Sequence, residues 1–347
     1  DLKIFSEMIE SLDGRPVWIP LSGGLDSRFI LGMLLELKYD NITTFSYGPD
    51  KFWEIKRAKE IANFLNIKWH HISYDPKQTR KLFDTKDREA YYKYAWGVNA
   101  VPVLNDYYAI LMMRKSNFIP DNAVFINGQS GDFLTGGHIP DTNEADNYLA
   151  ALLENIINKN HSLWEDLKTE DNLNYITEKI LSIINISSKD KISRTDLAKY
   201  YEFYEWQERQ CKFVVNGQRV YEWFGYDWRL PLWHDELMFF WERVPWEVKT
   251  QQKLFKRYLD IYNPASLFNK KWHVPDYQHT PLVLRVATSF ARKIAPSYNF
   301  QQNFTEYYST YSAFYPQSSY WKYLKESKGH RNAVSFHAKL IADKLKN

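Results

Sequence analysis

The chain has 347 residues, a formal net charge of +3, 44% hydrophobic and 17% aromatic residues, and a single cysteine, Cys211. This composition is typical of a globular protein, and one cysteine excludes an intrachain disulfide and a Cys-cluster metal site. The small net charge argues against wholesale nucleic-acid binding, and no apolar stretch approaches the roughly 18 residues of a membrane span. We therefore expect neither a nucleic-acid partner nor a membrane span, and we expect a reducing compartment, the cytoplasm.

The first 75 residues alternate between helical and strand patterns. An amphipathic helix over 2–12 precedes strands predicted over 17–21, 42–47 and 68–73, with helices predicted over 28–37 and 53–65 between them. Strands separated by helices predict an α/β fold, a parallel sheet with ligand sites at the carboxyl ends of its strands. Beyond residue 75 the pattern is mainly helical. One more strand is predicted over 123–126, and 141–200 is expected to form peripheral helices joined by exposed loops.

A glycine-rich loop follows the first predicted strand, where residues 20–28 read Pro-Leu-Ser-Gly-Gly-Leu-Asp-Ser-Arg. Gly23 and Gly24 are expected to take backbone angles barred to other residues, so that successive N–H groups converge on an anion at the helix N-terminus. Phosphate is the expected anion. The loop is neither a Walker-type loop nor a dinucleotide fingerprint. The alternative is a Ser/Gly turn without a ligand.

A second glycine-rich turn follows the strand at 123–126 and reads Asn127-Gly-Gln-Ser-Gly-Asp132-Phe-Leu-Thr-Gly136-Gly137. A carboxylate in such a turn would face the same crevice as Asp26. Two carboxylates can hold one Mg²⁺ on nucleotide phosphates, because Mg²⁺ prefers hard oxygen ligands and usually keeps several waters.

The hexapeptide Ser22-Gly-Gly-Leu-Asp-Ser27 resembles the pyrophosphate loop of the N-type ATP pyrophosphatases, which split ATP between the α and β phosphates. With the second turn, the chain resembles the synthetase domain of the asparagine synthetase family, which includes the β-lactam synthetases. The resemblance covers most of residues 15–275, including the segments 44–48, 227–235 and 253–257. It implies a fold like the adenine nucleotide alpha hydrolases. It also implies a ligase that adenylates a carboxylate with ATP, releases pyrophosphate and transfers the acyl group to ammonia or an amine.

The resemblance also implies roles for individual residues. Adenosine would contact Leu21, Tyr47, Asn127 and Gly128, mainly through the backbone. Pyrophosphate would lie against Ser22, Gly23, Gly24, Asp26 and Ser27, and Mg²⁺ would bind Asp26 and Asp132. Lys253 and Lys271 would neutralise phosphate charge and stabilise amide formation, with Lys270 an alternative to Lys271 and a solvated helix face the alternative for the lysines. Asp227 and Arg229 would either touch the ligand or form a structural ion pair.

Two positions depart from the family's pattern. Gln129 stands where asparagine synthetases carry Glu and the β-lactam enzymes carry Tyr, and Phe133 replaces an acidic residue. A neutral amide at 129 cannot act as a carboxylate base at pH 7, so we expect the small-molecule carboxylate substrate not to be aspartate. The glutaminase domain that precedes the synthetase domain in asparagine synthetases is not in this sequence. Either such a domain was removed from the sequence, or nitrogen comes from ammonia, a substrate amine or a separate glutaminase. Cys211 is expected to be a packed or surface thiol.

The whole chain, 1–347, is expected to form one domain of three parts. Residues 1–140 would be an α/β nucleotide-binding core, 141–280 a helical part that completes the site, and 281–347 an aromatic-rich extension. The extension carries ten Lys and Arg against three Asp and Glu, which indicates a solvated face or an anionic partner. Two other functions stay open, a tRNA-modifying ATP pyrophosphatase and a catalytically degenerate nucleotide-binding scaffold.

Overall fold

The computed structural model of the chain describes residues 1–50, 52–97, 100–142, 145–272, 331 and 333–345. A five-stranded sheet in the order β3-β2-β1-β4-β5 lies at its centre, and every pair of neighbouring strands is parallel. The strands are β1 Val17–Pro20, β2 Ile42–Gly48, β3 Lys68–Ser73, β4 Val124–Ile126 and β5 Asp227–Arg229. This confirms the predicted α/β class and the four predicted strands.

Helices cover both faces of the sheet because its inner strands are apolar on both sides. Val17 and Ile19 of β1 belong to one core, with the helices α1 Leu2–Leu12, α2 Leu25–Glu36 and α3 Trp53–Phe64. Trp18, which points to the opposite face, belongs to a second core rich in tyrosine. Its helices include α5 Lys86–Trp96 and α6 Asn105–Lys115, with α4 Pro76–Phe83 before them. The sheet is therefore the middle layer of three.

A third core lies in the predicted peripheral region and joins three helices, α8 Tyr148–Asn160, α9 Glu170–Ile184 and α10 Arg194–Tyr204. Each of these helices begins with a side-chain cap, from Asn147, Thr169 and Ser193 respectively. Such caps satisfy N–H groups that have no partner in the first turn. The short α7 Gly131–Leu134 precedes this unit, within the second glycine-rich turn.

The helix α10 does not end at Tyr204 but continues as a π-helix over Glu205–Val214 and a 3₁₀ turn over Val215–Gln218, then α11 Arg219–Trp223. π-helical turns are rare and occur often at functional sites. The chain then forms β5, α12 Asp235–Glu242, α13 Trp246–Lys249 and α14 Lys253–Tyr262. The helices α12 and α14 return to the first core.

Three expectations from the sequence need correction. The sheet has a strand that was not predicted, β5, which pairs with β4. The helix after the first glycine-rich loop begins at Leu25 and not at residue 28, so it includes Asp26. Asp227 and Arg229 do not pair with each other, because Asp227 accepts from Arg15 at 2.6 Å and Arg229 donates to Ser11 and the carbonyl of Trp228.

The chain's last helix, α15 Ala333–Leu345, packs on the second core, where Ile341 is buried. Residues 273–330, which include most of the predicted aromatic-rich extension, lie outside the described residues. None of the helices that the structure describes has the length and apolar character needed to cross a bilayer. The division of the chain into three parts stays a prediction.

Candidate active site

The central strands β1 and β4 are neighbours, so the segments that follow them meet at one edge of the sheet. We call residues 21–27 the Ser-Gly-Gly loop and residues 127–137 the Asp132 turn. The N–H of Leu21 donates to the carbonyl of Phe45, and that of Asn127 donates to the carbonyl of Arg229. These two bonds continue the ladder to where each loop leaves the sheet.

The Ser-Gly-Gly loop is held in shape by its own serines. The N–H of Ser22 donates to Oγ of Ser27 at 3.1 Å, and the N–H of Gly24 donates to Oγ of Ser22 at 3.1 Å. The helix α2 begins directly after Gly24, so the first-turn N–H groups of Leu25, Asp26 and Ser27 have no partner within the helix. These groups and the helix dipole favour an anion at this point.

The reason for glycine in this loop differs from the expected one. Gly24 has φ −72° and ψ 169°, and Gly23 does not lie in the positive-φ region either. Space is the constraint instead, because a Cβ on Gly23 would lie 2.4 Å from the indole ring of Trp53. The prediction of barred backbone angles at Gly23 and Gly24 was therefore wrong. Trp53, at the start of α3, covers this side of the loop.

Two glycines of the Asp132 turn allow it to close on Asp26. A Cβ on Gly128 would lie 2.9 Å from the backbone carbonyl carbon of Asp26, and one on Gly131 would lie 2.6 Å from its carboxylate. Neither contact leaves room for a side chain. The structure thus brings together the two turns that the sequence placed about a hundred residues apart.

The surroundings of Asp26 disfavour the charged form of its carboxylate. Its Oδ1 is buried and has no hydrogen-bond partner among the described residues. Burial, and after it the nearby negative charge of Asp132, raises the pKa of Asp26 to about 8. Protein groups therefore satisfy only part of the hydrogen-bonding capacity of the Asp26 carboxylate. This is the condition expected of a carboxylate that binds a cation.

Asp132 is held from behind by a histidine and a second carboxylate. Its Oδ2 lies 3.0 Å from Nε2 of His138, whose Nδ1 lies 3.0 Å from Oε2 of Glu205. The Glu205 side chain is fully buried and also accepts from Lys159 at 2.8 Å and Asn160 at 2.9 Å. The orientation of Asp132 is therefore fixed by a chain of polar groups that ends in a buried ion pair.

The pKa values of these groups follow from their contacts. Burial lowers the pKa of His138, but its bonds to Asp132 and Glu205 outweigh burial and raise that pKa above its ordinary value. Burial raises the pKa of Glu205, but His138 and Lys159 outweigh it and hold that pKa at about 2. The imidazolium form, which donates to both carboxylates, is favoured.

The donor set of Asp26 and Asp132 fits Mg²⁺. Mg²⁺ is usually held by one or two carboxylates together with substrate phosphates and waters. A divalent cation would remove the repulsion between the two carboxylates and occupy the unpartnered Oδ1 of Asp26. The described residues contain no cluster of three or more His, Cys, Asp and Glu ligands, so phosphate oxygens would have to complete the coordination.

The residues expected to contact adenosine lie along the ends of β1, β2 and β4. Leu21 is buried, and Asn127 is buried beneath the crevice. The phenol of Tyr47 donates to the carboxylate of Asp106, at the start of α6. Their positions are compatible with backbone contacts to a nucleoside, and that role remains a prediction.

Gln129 is half-buried and follows the end of β4. Its Oε1 accepts a hydrogen bond from Nε2 of Gln218, at the end of the 3₁₀ turn before α11. Its neighbour Ser130 donates to Oε1 of Gln210 at 2.9 Å. The π-helical segment and the turn after it therefore supply partners to four residues in or beside the Asp132 turn, since Gln218 also accepts from Asn127 and Glu205 contacts His138.

The predicted lysines lie at the margin of the site. Lys253 is exposed, and its Nζ lies 3.4 Å from the carbonyl of Glu247. Nζ of Lys271 lies 4.6 Å from the ring centre of Trp272 and 5.3 Å from that of Phe64. Neither ammonium contacts the Ser-Gly-Gly loop, and Lys270 is exposed as well. Their proposed contacts to phosphate remain a prediction.

Arg28 joins this margin to the loop. Its buried guanidinium donates to the carbonyls of Gly24, Leu267 and Trp272, each at 2.9 Å. One side chain thus ties the segment that carries Lys270 and Lys271 to the first turn of α2. Burial lowers the pKa of Arg28 to about 10, which still leaves the group charged at neutral pH.

Sequence reasoning did not identify Trp53, Asp106, His138, Glu205 or Arg28. Arg28 stands directly after the loop hexapeptide, and His138 directly after Gly137, so proximity to a motif was a usable signal for both. Glu205 and Asp106 gave none, because their partners are distant in sequence. Cys211 is exposed as a residue, but neighbouring atoms cover part of its thiol. This partial burial, together with the charge of Glu208, raises the pKa of the thiol and disfavours a reactive thiolate.

Comparison with known proteins adds two findings. The family model described as asparagine synthase matches residues 11–282. A 7-cyano-7-deazaguanine synthase from Microcystis aeruginosa (strain NIES-843 / IAM M-2473) is 49% identical to the chain over 55 residues, which is 16% of this chain and 24% of that protein. The chain thus spans about a quarter of the length of that curated relative.

Proposed function

The chain belongs to the asparagine synthase family, and on that premise we propose that it is an ATP-dependent, amide-forming ligase. Proteins of this family use ATP, with Mg²⁺ usual. In the proposed reaction a substrate carboxylate attacks the α-phosphate of ATP and pyrophosphate leaves. Ammonia or an amine then attacks the acyl adenylate, the amide bond forms, and AMP leaves.

One observation carries this proposal, the convergence of Asp26 and Asp132 across a contact that only glycines permit. The contact at Gly131 puts the Asp132 turn directly against the Asp26 carboxylate, whose Oδ1 lacks a partner among the described residues. Such an arrangement suits Mg²⁺ on a polyphosphate, where the ion would neutralise the charge of the departing pyrophosphate. The pair has no evident structural purpose, because burial and the charge of Asp132 both disfavour ionisation of Asp26.

The chain's own residues would act around that centre. The free N–H groups at the start of α2 would bind pyrophosphate oxygens, and Trp53 would cover the loop from one side. His138 and Glu205 would hold Asp132 in position. We propose that Lys253 and Lys271 reach the phosphates on substrate binding, when the ends of these long side chains can leave their present contacts.

The substrate and the nitrogen donor are narrower parts of the proposal. Gln129 offers no carboxylate, so we propose that aspartate is not the acid activated. The nitrogen would arrive as ammonia, as an amine of a second small molecule or from a separate glutaminase. We propose the cytoplasm as the setting, because a single exposed cysteine suits a reducing compartment.

The first prediction tests the metal-binding pair. Asp26→Asn and Asp132→Asn should each lower AMP and pyrophosphate formation from ATP-Mg²⁺ and a carboxylate panel at least about a hundredfold, because each removes a charge from the Mg²⁺ site. Pyrophosphate is measured by a coupled assay, and circular dichroism checks the fold. Asp171→Asn, an exposed change in the first turn of α9, is the matched control.

Near wild-type turnover in either variant would remove that residue from the metal site. Pyrophosphate release that requires added tRNA would favour a tRNA-modifying pyrophosphatase instead. ATP binding without release under any condition would favour a non-catalytic nucleotide-binding protein.

A further inference from the structure

A continuous network of hydrogen bonds runs from a buried carboxylate to a half-buried side chain of the Asp132 turn. It begins at Asp106, passes through Tyr221, Asn127 and Gln218, and ends at Gln129. Nδ2 of Asn127 donates to the Tyr221 phenol oxygen at 2.9 Å and to Oε1 of Gln218 at 2.8 Å. Four of the five residues are buried, and Gln129 alone is half-buried.

The hydrogen bonds of this network run in one direction, because the acceptor at Asp106 fixes which atom donates and which atom accepts at each following residue. Tyr221 donates its one proton to the Asp106 carboxylate, so its oxygen is left to accept from Asn127. The amide nitrogen of Asn127 therefore faces Tyr221, and its second proton goes to Oε1 of Gln218. Gln218 must then turn its own amide nitrogen toward Oε1 of Gln129.

The contacts of Asp106 support this direction. Its two oxygens accept from two phenols, those of Tyr47 and Tyr221. Burial raises the pKa of both phenols well above its ordinary value, so both keep the proton that they donate. Burial also raises the pKa of Asp106, and the two phenol bonds oppose that rise.

The direction of these bonds determines which atom of Gln129 remains available to a ligand. With Oε1 engaged by Gln218, the Nε2 group of Gln129 is left with no hydrogen-bond partner among the described residues, on a side chain that is half-exposed at the site. A glutamine free to rotate could offer either its oxygen or its nitrogen to a ligand. This one is held so that it offers its nitrogen.

We infer that Gln129 is a specificity-determining residue that presents an N–H donor to the acid substrate, and that Asp106 and Gln218 are positioning residues that hold it so. The substrate class is then a carboxylic acid with a hydrogen-bond-accepting oxygen, such as a hydroxyl, at the place that faces Nε2 of Gln129. An ammonium there would face the N–H₂ group of Gln129 and leave both unpaired, which should weaken binding at least about tenfold. This inference rests on the proposed function for its site.

The experiment uses two isosteric probes, L-malate and L-aspartate, which differ only in a hydroxyl against an ammonium. Their dissociation constants are measured by calorimetry without ATP on the full chain. The wild type should bind malate at least about tenfold more tightly than aspartate. Equal affinities in the wild type, including no detectable binding of either probe, would overturn the inference.

The decisive variant leaves the crevice residue unchanged. Gln218→Glu can still accept from Asn127 but cannot donate to Gln129, so the amide of Gln129 should turn its nitrogen inward and its oxygen to the crevice. The ratio of the two affinities should then fall at least about tenfold toward aspartate. Gln207→Glu adds a carboxylate to the π-helical segment, where Gln207 contacts Glu208 and none of the network, and should keep the wild-type ratio.

Two further variants cover a failure of Gln218→Glu to fold. Gln129→Glu, at a half-exposed position, should shift the ratio in the same direction. Asp106→Asn should reduce the ratio as well, because asparagine offers one acceptor oxygen to two phenols, and Tyr221 is then no longer held as a donor at this end of the network. A folded Gln218→Glu or Gln129→Glu protein with the wild-type ratio would overturn the inference. Because binding is measured without turnover, absence of AMP formation would count against the ligase proposal alone.

Discussion

Asp26 and Asp132 face each other, yet their surroundings push their protonation in opposite directions. Burial and the charge of Asp132 raise the pKa of Asp26 to about 8. Burial raises the pKa of Asp132 as well, but the bond from His138 outweighs it and holds that pKa below its ordinary value. Asp132 therefore keeps its charge at neutral pH, and Asp26 is the group whose ionisation a cation would control.

The loss of unfolding free energy at acid pH should depend on Glu205. Its folded pKa of about 2 lies below the ordinary value of 4.5, so its contribution is present above pH 4.5 and is lost as the pH falls toward 2. Between pH 5 and pH 3 the wild type should lose about 2 kcal/mol of unfolding free energy through this group. Glu205→Gln should remove that loss, measured by urea unfolding at both pH values.

The exposed Glu165, paired only with Lys168, provides the control for this series. Glu165→Gln should leave the pH dependence unchanged within about 0.5 kcal/mol. A Glu205→Gln protein that loses as much stability between pH 5 and pH 3 as the wild type would contradict the assignment.

At the scale of helices and strands, α1 could be predicted from its amphipathic pattern, and β1 and β4 from short apolar runs. The strands β2 and β3 could be predicted from the alternation of strand and helix patterns over the first 75 residues. The strand β5 could not, since Asp227-Trp-Arg229 has three residues and no alternation, and it forms a strand through pairing with β4. The π-helical geometry was not predicted either. Its side chains contact partners such as His138 and Ser130, so they do not repeat with the period of an α-helix.

The candidate site divides in the same way. Its two carboxylates could be predicted because they lie in local glycine-rich motifs. The groups that orient them could not, since Glu205 meets His138 across 67 residues and Gln218 meets Gln129 across 89. Residues that would bind a ligand can thus be predicted from local motifs more readily than the residues that hold them in position.

The segment 264–272 should depend on Arg28 for its attachment to α2. A lysine cannot bridge three carbonyls, so Arg28→Lys should destabilise the protein by at least about 2 kcal/mol and speed amide hydrogen exchange in 264–272. Exchange is followed by mass spectrometry. Arg243→Lys, at an exposed position, is the control. Unchanged exchange in 264–272 for Arg28→Lys would show that the segment is held by other contacts.

At the scale of the whole molecule, the central sheet separates two cores, and the last helix closes one of them at a distance from the site. His337 of α15 is buried against α5, where its Nδ1 lies 3.0 Å from the phenol of Tyr92. Burial lowers the pKa of His337 to about 3. The helix α15 is therefore part of the second core with a neutral His337, and we expect protonation of this histidine to weaken its attachment.

Protonation of His337 should make the attachment of α15 depend on pH. The unfolded state binds a proton below about pH 6.5 and the folded state does not until about pH 3, so stability falls as the pH falls. The loss between pH 7 and pH 5 should be about 2 kcal/mol. His337→Gln should show a correspondingly smaller loss in urea unfolding, and an equal loss in both proteins would contradict the burial of a neutral His337.

The pairing of β1 with β4 joins Val17 to Val124, about a hundred residues later in the chain, and β5 joins the sheet a further hundred residues on. Contacts between such distant segments close large loops and form slowly. Neither glycine-rich loop can meet the other until this ladder exists. During synthesis on the ribosome, the candidate site can therefore assemble only after the chain has been made at least as far as residue 137, the end of the Asp132 turn.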